Sequence, residues 1–275
     1  MKRAPKVGGY CSDMVFHLKS RRRERLRAKP VPAEWRAILE RNLPVFTRLT
    51  PDDQTELLGH TQVFLAEKHF EGAGGLELTD EIRVTIAAQA SLLLMHRETD
   101  YYPELVSIIV YPSGYTATED RHIGHGIWEE GSEDRLGHTG QRLRALVLAW
   151  DSVRHGAAAP TDGENLVLHE FAHQLDFENQ RSDGTPALET RGDYLAWARV
   201  MSAEFEALRD ATDSGVPTLL DSYGATDPAE FFAVITEVFF ERPRALRRLH
   251  PALFDQLQRF YHQDPTTYSA EPVTA

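Results

Sequence analysis

The sequence contains only one cysteine, Cys11, among 275 residues. One thiol excludes an intrachain disulfide and any metal site built from several cysteines, and it fits a reducing compartment. We therefore expect a cytoplasmic protein that is stabilised by its hydrophobic core. The composition, with 41% hydrophobic and 26% charged residues, is typical of a folded globular protein.

The sequence also lacks a long apolar run. The longest stretch nearly free of charge extends from Thr85 to Met95, well short of the roughly 20 residues that a membrane-spanning helix requires. The basic segment from Met1 to Lys6 is not followed by the apolar segment of a secretory signal. Both absences predict a protein that neither crosses a membrane nor is secreted.

Positive charge is scarce beyond the first 30 residues. Residues 1–30 hold ten Lys or Arg and two acids, whereas the other 245 residues hold 20 basic and 40 acidic side chains, for an overall net charge of -12. An acidic body repels nucleic acid, so we do not expect a nucleic-acid partner, although the short basic segment could contact phosphates or an acidic surface.

These patterns divide the chain into three parts. Residues 1–32 form a basic, partly ordered N-terminal arm, expected mainly as a solvated lead-in that ends at Pro30-Val31-Pro32. Residues 33–265 form the folded domain, which begins with a helical pattern, and residues 266–275 form a flexible C-terminal tail. We see no internal repeat.

The predicted elements favour an α+β fold that is mainly helical, with a small central sheet and an N-terminal helical part. Two β-rich segments predict strands, Ser107–Tyr111 and Arg144–Trp150, and the polar segment between them, 116–140, is expected to form loops and irregular strands. Helices are expected to begin after Thr50 and Thr79, and further helices over 163–178, 193–212, 228–241 and 244–263, the last interrupted near Pro251.

The most informative motif is HEFAH, residues 169–173. On a helix, His169 and His173 leave the same face one turn apart and can bind one metal ion. Glu170 lies beside the first histidine, where its carboxylate can accept a proton from the attacking water without binding the metal, as in zinc peptidases of the HExxH type. We expect Asp162 to cap this helix.

A catalytic zinc needs a third protein ligand and an open position. The metzincin class is excluded, because its third histidine and preceding glycine fall where this chain has Asn179 and Asp176. A later helix, capped by Asp227, carries Glu230 and Glu237 on one face. We favour Glu230 as the ligand over a capping-box role with Asp227. Glu237 is the competitor, with an outer hydrogen-bonding or ion-pair role as its default.

Two further residues have alternative roles. Asp176 shares the ligand face of its helix, so it could hold a ligand imidazole through the ring N–H, or form a salt bridge at the helix end. Tyr223, just before the second helix, could place its phenol near the metal and stabilise an oxyanion. Its alternative is a turn tyrosine packed on the surface.

Several segments in order resemble one known family. They are FEGAGGLELTD (70–80), IAAQASLLL (86–94), VLAWDSV (147–153), HEFAHQLD (169–176), YGATDPAEFFAVITEVFF (223–240) and FYHQDP (260–265). From about Ala33 to Pro265 the chain is similar to the Mlc titration factor A family of zinc-dependent peptidases. The resemblance implies a gluzincin-like metallopeptidase fold, related to the catalytic domain of anthrax lethal factor.

The resemblance also implies roles for individual residues. His169, His173 and Glu230 would bind Zn²⁺, Glu170 would be the general base, and Tyr223 corresponds to the family's tyrosine ahead of the PAE segment. The activity implied is hydrolysis of peptide or protein substrates, including aminopeptidase-type cleavage of short peptides.

Some members of the family bind the transcriptional repressor Mlc. A regulator of that kind is a candidate partner, although nothing in the basic arm points to it. The rival interpretation is a non-catalytic protein that sequesters a regulator and holds a structural zinc. The presence of Glu170 argues against that rival, because a structural site has no use for this carboxylate.

Overall fold

The computed structural model describes residues 10–113, 122–123, 127–128 and 145–272. Within these ranges the chain is mainly helical with a small sheet, which confirms the α+β prediction. The helices are α1 (Tyr10–Arg27), α2 (Ala33–Asn42), α3 (Pro51–Glu67), α4 (Asp80–Leu92), α5 (Trp150–Ala158), α6 (Leu166–Asp176), α7 (Arg191–Asp213), α8 (Pro228–Glu241), α9 (Pro243–Leu249) and α10 (Pro251–Tyr261). The strands are β1 (His69–Gly72), β2 (Ser107–Tyr111), β3 (His122–Ile123), β4 (Ile127–Trp128) and β5 (Ala145–Ala149).

Three strands form a parallel sheet in the order β1-β2-β5. Ile108 of β2 lies opposite Phe70 of β1 and Leu146 of β5. Both predicted strands are confirmed, although the second ends at Ala149 because Trp150 begins α5. The short, polar strand β1 was not foreseen. Strands β3 and β4 pair antiparallel, and the rest of the predicted loop segment 116–140 lies outside the described residues.

The predicted caps of α3 and α4 and the predicted break near Pro251 are found in the structure. Thr50 and Thr79 accept hydrogen bonds from the amides of Asp53 and Ile82 at the starts of α3 and α4. The last predicted helix is divided at His250, directly before Pro251. None of the helices in the described ranges is long and apolar enough to span a membrane.

The centre of the core lies around α8, which packs against α6. Nearly every residue of α8 is buried. An aromatic group joins it to α7 and α10, where Trp197, Phe232 and Phe260 meet edge to face with ring centroids 5.6 to 5.8 Å apart. The two helices that carry the predicted ligands are therefore held in a part of the core where nearly all of their residues are buried.

The N-terminal arm differs from the expected solvated lead-in. Arg23 of α1 is buried, and its guanidinium donates two hydrogen bonds to the carboxylate of Glu67, at 2.8 and 3.0 Å, and one to Asp100 at 2.7 Å. The same group lies 4.6 Å above the ring of Tyr101. The second half of α1 is thus packed against α3. The sequence did not predict this packing, because nothing in the run of basic residues shows that one of them points inward.

The C-terminal segment also packs where a flexible tail was expected. Tyr268 is buried and donates a hydrogen bond to Gln263 at 2.9 Å. Glu271 accepts hydrogen bonds from the backbone amides of Arg244 and Ala245 at the start of α9. Residues up to about Glu271 therefore pack against the folded part, while the three-part division of the chain stays a prediction.

Candidate metal site

Helix α6 places both histidines on one face. It begins at Leu166, and its N-cap is Asn165, whose Oδ1 accepts the N–H of Leu168 at 3.1 Å. The prediction of Asp162 as the cap was wrong, because that carboxylate accepts the N–H of Glu164 in the preceding turn. The imidazoles of His169 and His173 follow one turn apart, with ring centroids separated by 4.9 Å.

Helix α8 brings Glu230 to the same point. Asp227 caps the helix by accepting the amides of Ala229 and Glu230, but the Glu230 side chain does not return to the cap. Its Oε2 lies 3.0 Å from Nε2 of His169 and 3.4 Å from Nε2 of His173. The three side chains offer ligand atoms that all lie within 4.8 Å of one another.

Glu237 contacts the opposite edge of the first histidine. Its Oε1 lies 2.7 Å from Nδ1 of His169, away from the nitrogen that faces Glu230. The two glutamates share one face of α8, as predicted, but contact different nitrogens of one ring. Glu237 therefore orients the imidazole and does not belong to the group of converging ligand atoms.

Asp176 has neither of the roles considered for it. Its side chain is fully buried, and Oδ2 accepts the N–H of Gly184 at 2.9 Å. Burial raises the pKa of this carboxyl to about 6, which the hydrogen bond from Gly184 only partly offsets. Asp176 thus joins the end of α6 to the chain that leads into α7.

The cluster is electrostatically coupled. Burial by itself would lower the pKa of His169, but its hydrogen bonds to Glu230 and Glu237 outweigh that effect and raise the pKa to about 10. Burial would raise the pKa of Glu230, and its contacts with His169 and His173 lower it well below the usual range. Binding of a metal must therefore displace a proton from His169, which makes metal affinity dependent on pH.

Glu170 lies beside this cluster with one oxygen unused. Its side chain is buried, and among the described residues Oε1 has no hydrogen-bond partner. Burial raises the pKa of Glu170, and the neighbouring charges of His169 and His173 offset this rise only in part. A buried carboxylate oxygen without a partner is unfavourable by itself. Two imidazole nitrogens and one carboxylate are the donor set that suits a catalytic zinc with an open position, and this extra acid lies beside them.

Tyr223 lies on the same side as His169. It belongs to a short 3₁₀ turn, Ser222–Ala225, whose cap Asp221 accepts the N–H of Tyr223 at 2.7 Å. Its ring centroid is 6.1 Å from that of His169. Burial and the hydrogen-bonded carboxylate of Glu230 both raise the pKa of the phenol, which therefore keeps its proton at neutral pH. The structure places this tyrosine at the cluster.

A second group of possible ligands in the described part of the chain has a different geometry. Nδ1 of His96 lies 2.9 Å from Glu56, and Nε2 of the same ring lies 3.2 Å from Asp53. This cluster offers a single imidazole, whereas, among the residues that the structure describes, only the group on α6 and α8 directs nitrogens of two imidazoles at one carboxylate.

A histidine pair on one helix and a glutamate from a later buried helix form a candidate metal site with the arrangement that HExxH peptidases use. The chain belongs to the family of glucose-regulated metallo-peptidases M90, which matches residues 18–262. A protein of Synechocystis sp., described as uncharacterized, is 37% identical over 244 residues, or 89% of each chain. The Mlc titration factor A of Yersinia pestis and that of Yersinia pseudotuberculosis are each 30% identical over 236 residues, or 85% of each chain. The family inferred from the sequence motifs is confirmed.

Proposed function

We propose that the chain is a zinc-dependent peptidase in which His169, His173 and Glu230 hold the ion and Glu170 is the general base. The observation that carries this proposal is Oε1 of Glu170, which is buried next to the three converging ligand atoms and has no hydrogen-bond partner within the described part of the chain. A purely structural site gains nothing from an additional buried acid, because that acid must be desolvated without compensation.

The side chains suggest a division of roles during hydrolysis. A bound zinc ion would supply a Lewis acid that polarises the scissile carbonyl and lowers the pKa of a water molecule. Glu170 would accept the proton of the attacking water and pass it to the leaving amine. Tyr223, protonated and close to His169, would donate a hydrogen bond to the oxyanion that forms.

The proposed substrate is a peptide in an extended conformation. Strand β5 is an outer strand of the three-stranded sheet, and α5 follows it directly, ahead of α6. An outer strand can pair with an extended peptide through backbone hydrogen bonds. Aminopeptidase-type cleavage stays a prediction of the family resemblance. A digest of a peptide mixture tests it, because products shortened from the N-terminus differ in mass from internal fragments.

The proposal is tested by replacing Glu170 with Gln. The amide keeps the size of the side chain but cannot accept the proton, so zinc should stay at about one per chain while kcat/KM falls at least about 100-fold. The matched control is Glu206→Gln, the same chemical change on the exposed face of α7. Zinc content, melting temperature and peptide cleavage are measured on all three proteins. Cleavage by Glu170→Gln at the wild-type rate would contradict the proposal.

A second candidate function follows from the relatives named Mlc titration factor A. By that analogy the chain would bind a transcriptional regulator of the Mlc type, with a metal that serves structure alone. Binding of a purified repressor of this type to wild type and to Glu170→Gln, measured by calorimetry, tests this function. Equal binding together with no cleavage by wild type would favour the regulator over the peptidase.

A further inference from the structure

The loop that leads into α6 is tied to α8 by two carboxyl groups. Glu237 and Glu241 lie one helical turn apart on α8 and face the same loop. Glu237 accepts the backbone N–H of Asn165, and Glu241 accepts the side-chain amide of Asn165 at 3.1 Å. Glu241 also accepts the backbone N–H of Gly163 at 3.0 Å. One helix therefore holds this loop at three points.

Asn165 is the centre of this arrangement. Its backbone N–H, its Nδ2 and its Oδ1 each have a different partner, namely Glu237, Glu241 and the N–H of Leu168. The residue is buried, and a Cβ at Gly156 of α5 would lie only 3.0 Å from its Cα. With packing on one side and hydrogen bonds on the other, Asn165 cannot shift without breaking several contacts.

The position of Asn165 is transmitted directly to the metal cluster. His169 follows it by one helical turn and donates a backbone hydrogen bond to its carbonyl at 2.9 Å. The Glu237 carboxylate that binds the Asn165 amide also contacts Nδ1 of His169. Glu230 lies on the same helix as Glu237, so a displacement of Asn165 changes the distance between the two histidines and Glu230.

We propose that Asn165 and Glu241 are positioning residues that set zinc affinity, because they fix the start of α6 relative to α8 and thereby the spacing of His169, His173 and Glu230. This inference rests on the proposed zinc site. It assigns a role in metal binding to two residues that do not contact the ligand atoms.

Glu241 acts through its geometry and not through its charge. Burial raises the pKa of Glu241 to about 10, an effect that its hydrogen bond from Asn165 only partly offsets. A protonated carboxyl adds no second negative charge next to Glu237. Replacement by Gln keeps an oxygen that can face Nδ2 of Asn165, but its NH2 group would face the N–H of Gly163. It should therefore preserve part of the function, whereas replacement by Ala should preserve less.

The test compares four variants in the full chain. Asn165→Ser keeps a good N-cap but is too short to reach Glu241. Glu241→Ala leaves the Asn165 side-chain amide without its partner, and Glu241→Gln is a partial rescue that keeps an acceptor for Asn165 and loses the hydrogen bond from Gly163. Thr236→Val is the matched control, because Thr236 also lies buried on α8 but faces a different partner. This substitution removes the hydrogen bond between Thr236 and Tyr261, at 2.8 Å.

The dissociation constant for zinc, measured by competition with a chromophoric chelator, is the deciding readout. We expect Asn165→Ser and Glu241→Ala to bind zinc about tenfold more weakly, the lower end of what outer hydrogen-bond partners contribute to metal affinity. Glu241→Gln should weaken zinc binding less than Glu241→Ala does. Thr236→Val should lower the melting temperature of the metal-free protein and leave zinc affinity unchanged.

The possible failures are distinguishable. If Asn165→Ser and Glu241→Ala lower the melting temperature as Thr236→Val does but bind zinc like wild type, their role is structural and the inference is wrong. A wild-type chain that binds zinc but cleaves no peptide would overturn the proposed function and leave this inference standing on its zinc affinities. A wild-type chain that binds no zinc would overturn both.

Discussion

Glu237 lies 2.7 Å from Nδ1 of His169, while Nε2 of the same imidazole lies 3.0 Å from Glu230. Helix α8 therefore contacts both nitrogens of one histidine of α6. Donation of Nδ1–H to Glu237 fixes the ring so that Nε2 is the nitrogen that can bind a metal, once the proton that Nε2 donates to Glu230 has been displaced. The orientation of this ring is thus decided by the contact between two helices.

The two glutamates of α8 should differ in their effect on metal binding. Glu230→Gln removes a ligand atom and should abolish stoichiometric zinc binding, whereas Glu237→Gln should weaken it about 10 to 100-fold, since it only supports His169. Elemental analysis after dialysis and a chelator titration measure both effects. The opposite ranking would make Glu237 the third ligand.

The raised pKa of Asp176 predicts that the difference in stability between wild type and Asp176→Asn depends on pH. Its folded pKa of about 6 lies above the usual value of 3.8, so the folded state holds this proton more tightly than the unfolded state. Its contribution to stability is therefore lost as pH rises from about 4 to 6. Asp176→Asn should gain stability relative to wild type over this range, by about 2 kcal/mol. Urea unfolding at several pH values, with chelator present, measures the difference. A constant difference between pH 4 and 7 would be inconsistent with this pKa.

Gly184 should tolerate no side chain. Its φ is +72°, and a Cβ there would collide with the carbonyl of Pro228 at the start of α8. Gly184→Ala should lower stability by about 3 kcal/mol or more and also weaken zinc binding, because Pro228 lies two residues before Glu230. The matched control is Gly215→Ala, where φ is +64° but no atom lies within 4 Å, and only about 1 kcal/mol of backbone strain is expected. Equal losses in the two variants, measured by urea unfolding, would argue against the close contact with Pro228.

Arg23 should stabilise the protein far more than its neighbour Arg22. Arg23→Met leaves Glu67 largely buried without its main partner, a loss of about 2 to 3 kcal/mol, since Asp100 keeps its contact with Lys19. The control Arg22→Met removes a longer contact with the same Glu67, 3.8 Å from an exposed guanidinium, and should change stability by less than about 0.5 kcal/mol. Chemical denaturation measures the free energy of unfolding of both variants. Similar losses in the two would support the expectation of a solvated N-terminal arm.

The candidate ligand residues that the structure brings together could be predicted from local spacing. His169 and His173 lie four residues apart, and such a spacing on a helix is fixed by the geometry of the helix itself. The proline and acidic cap before Glu230 indicated the start of α8 for the same local reason. Most helices and both longer strands were also visible as hydrophobic periods, because a period reflects the face that an element buries.

The contacts between elements were decided only by the tertiary structure. The sequence placed Asp176 and Glu237 on ligand faces, but it could not show that Glu237 reaches His169 while Asp176 turns to Gly184. The burial of Arg23 and the cap by Asn165 were also missed. Whether a polar side chain binds one neighbour or another depends on how distant segments pack. In short, the sequence alone determined which residues can bind a metal, and the packing of α6 against α8 decided which groups hold them in place.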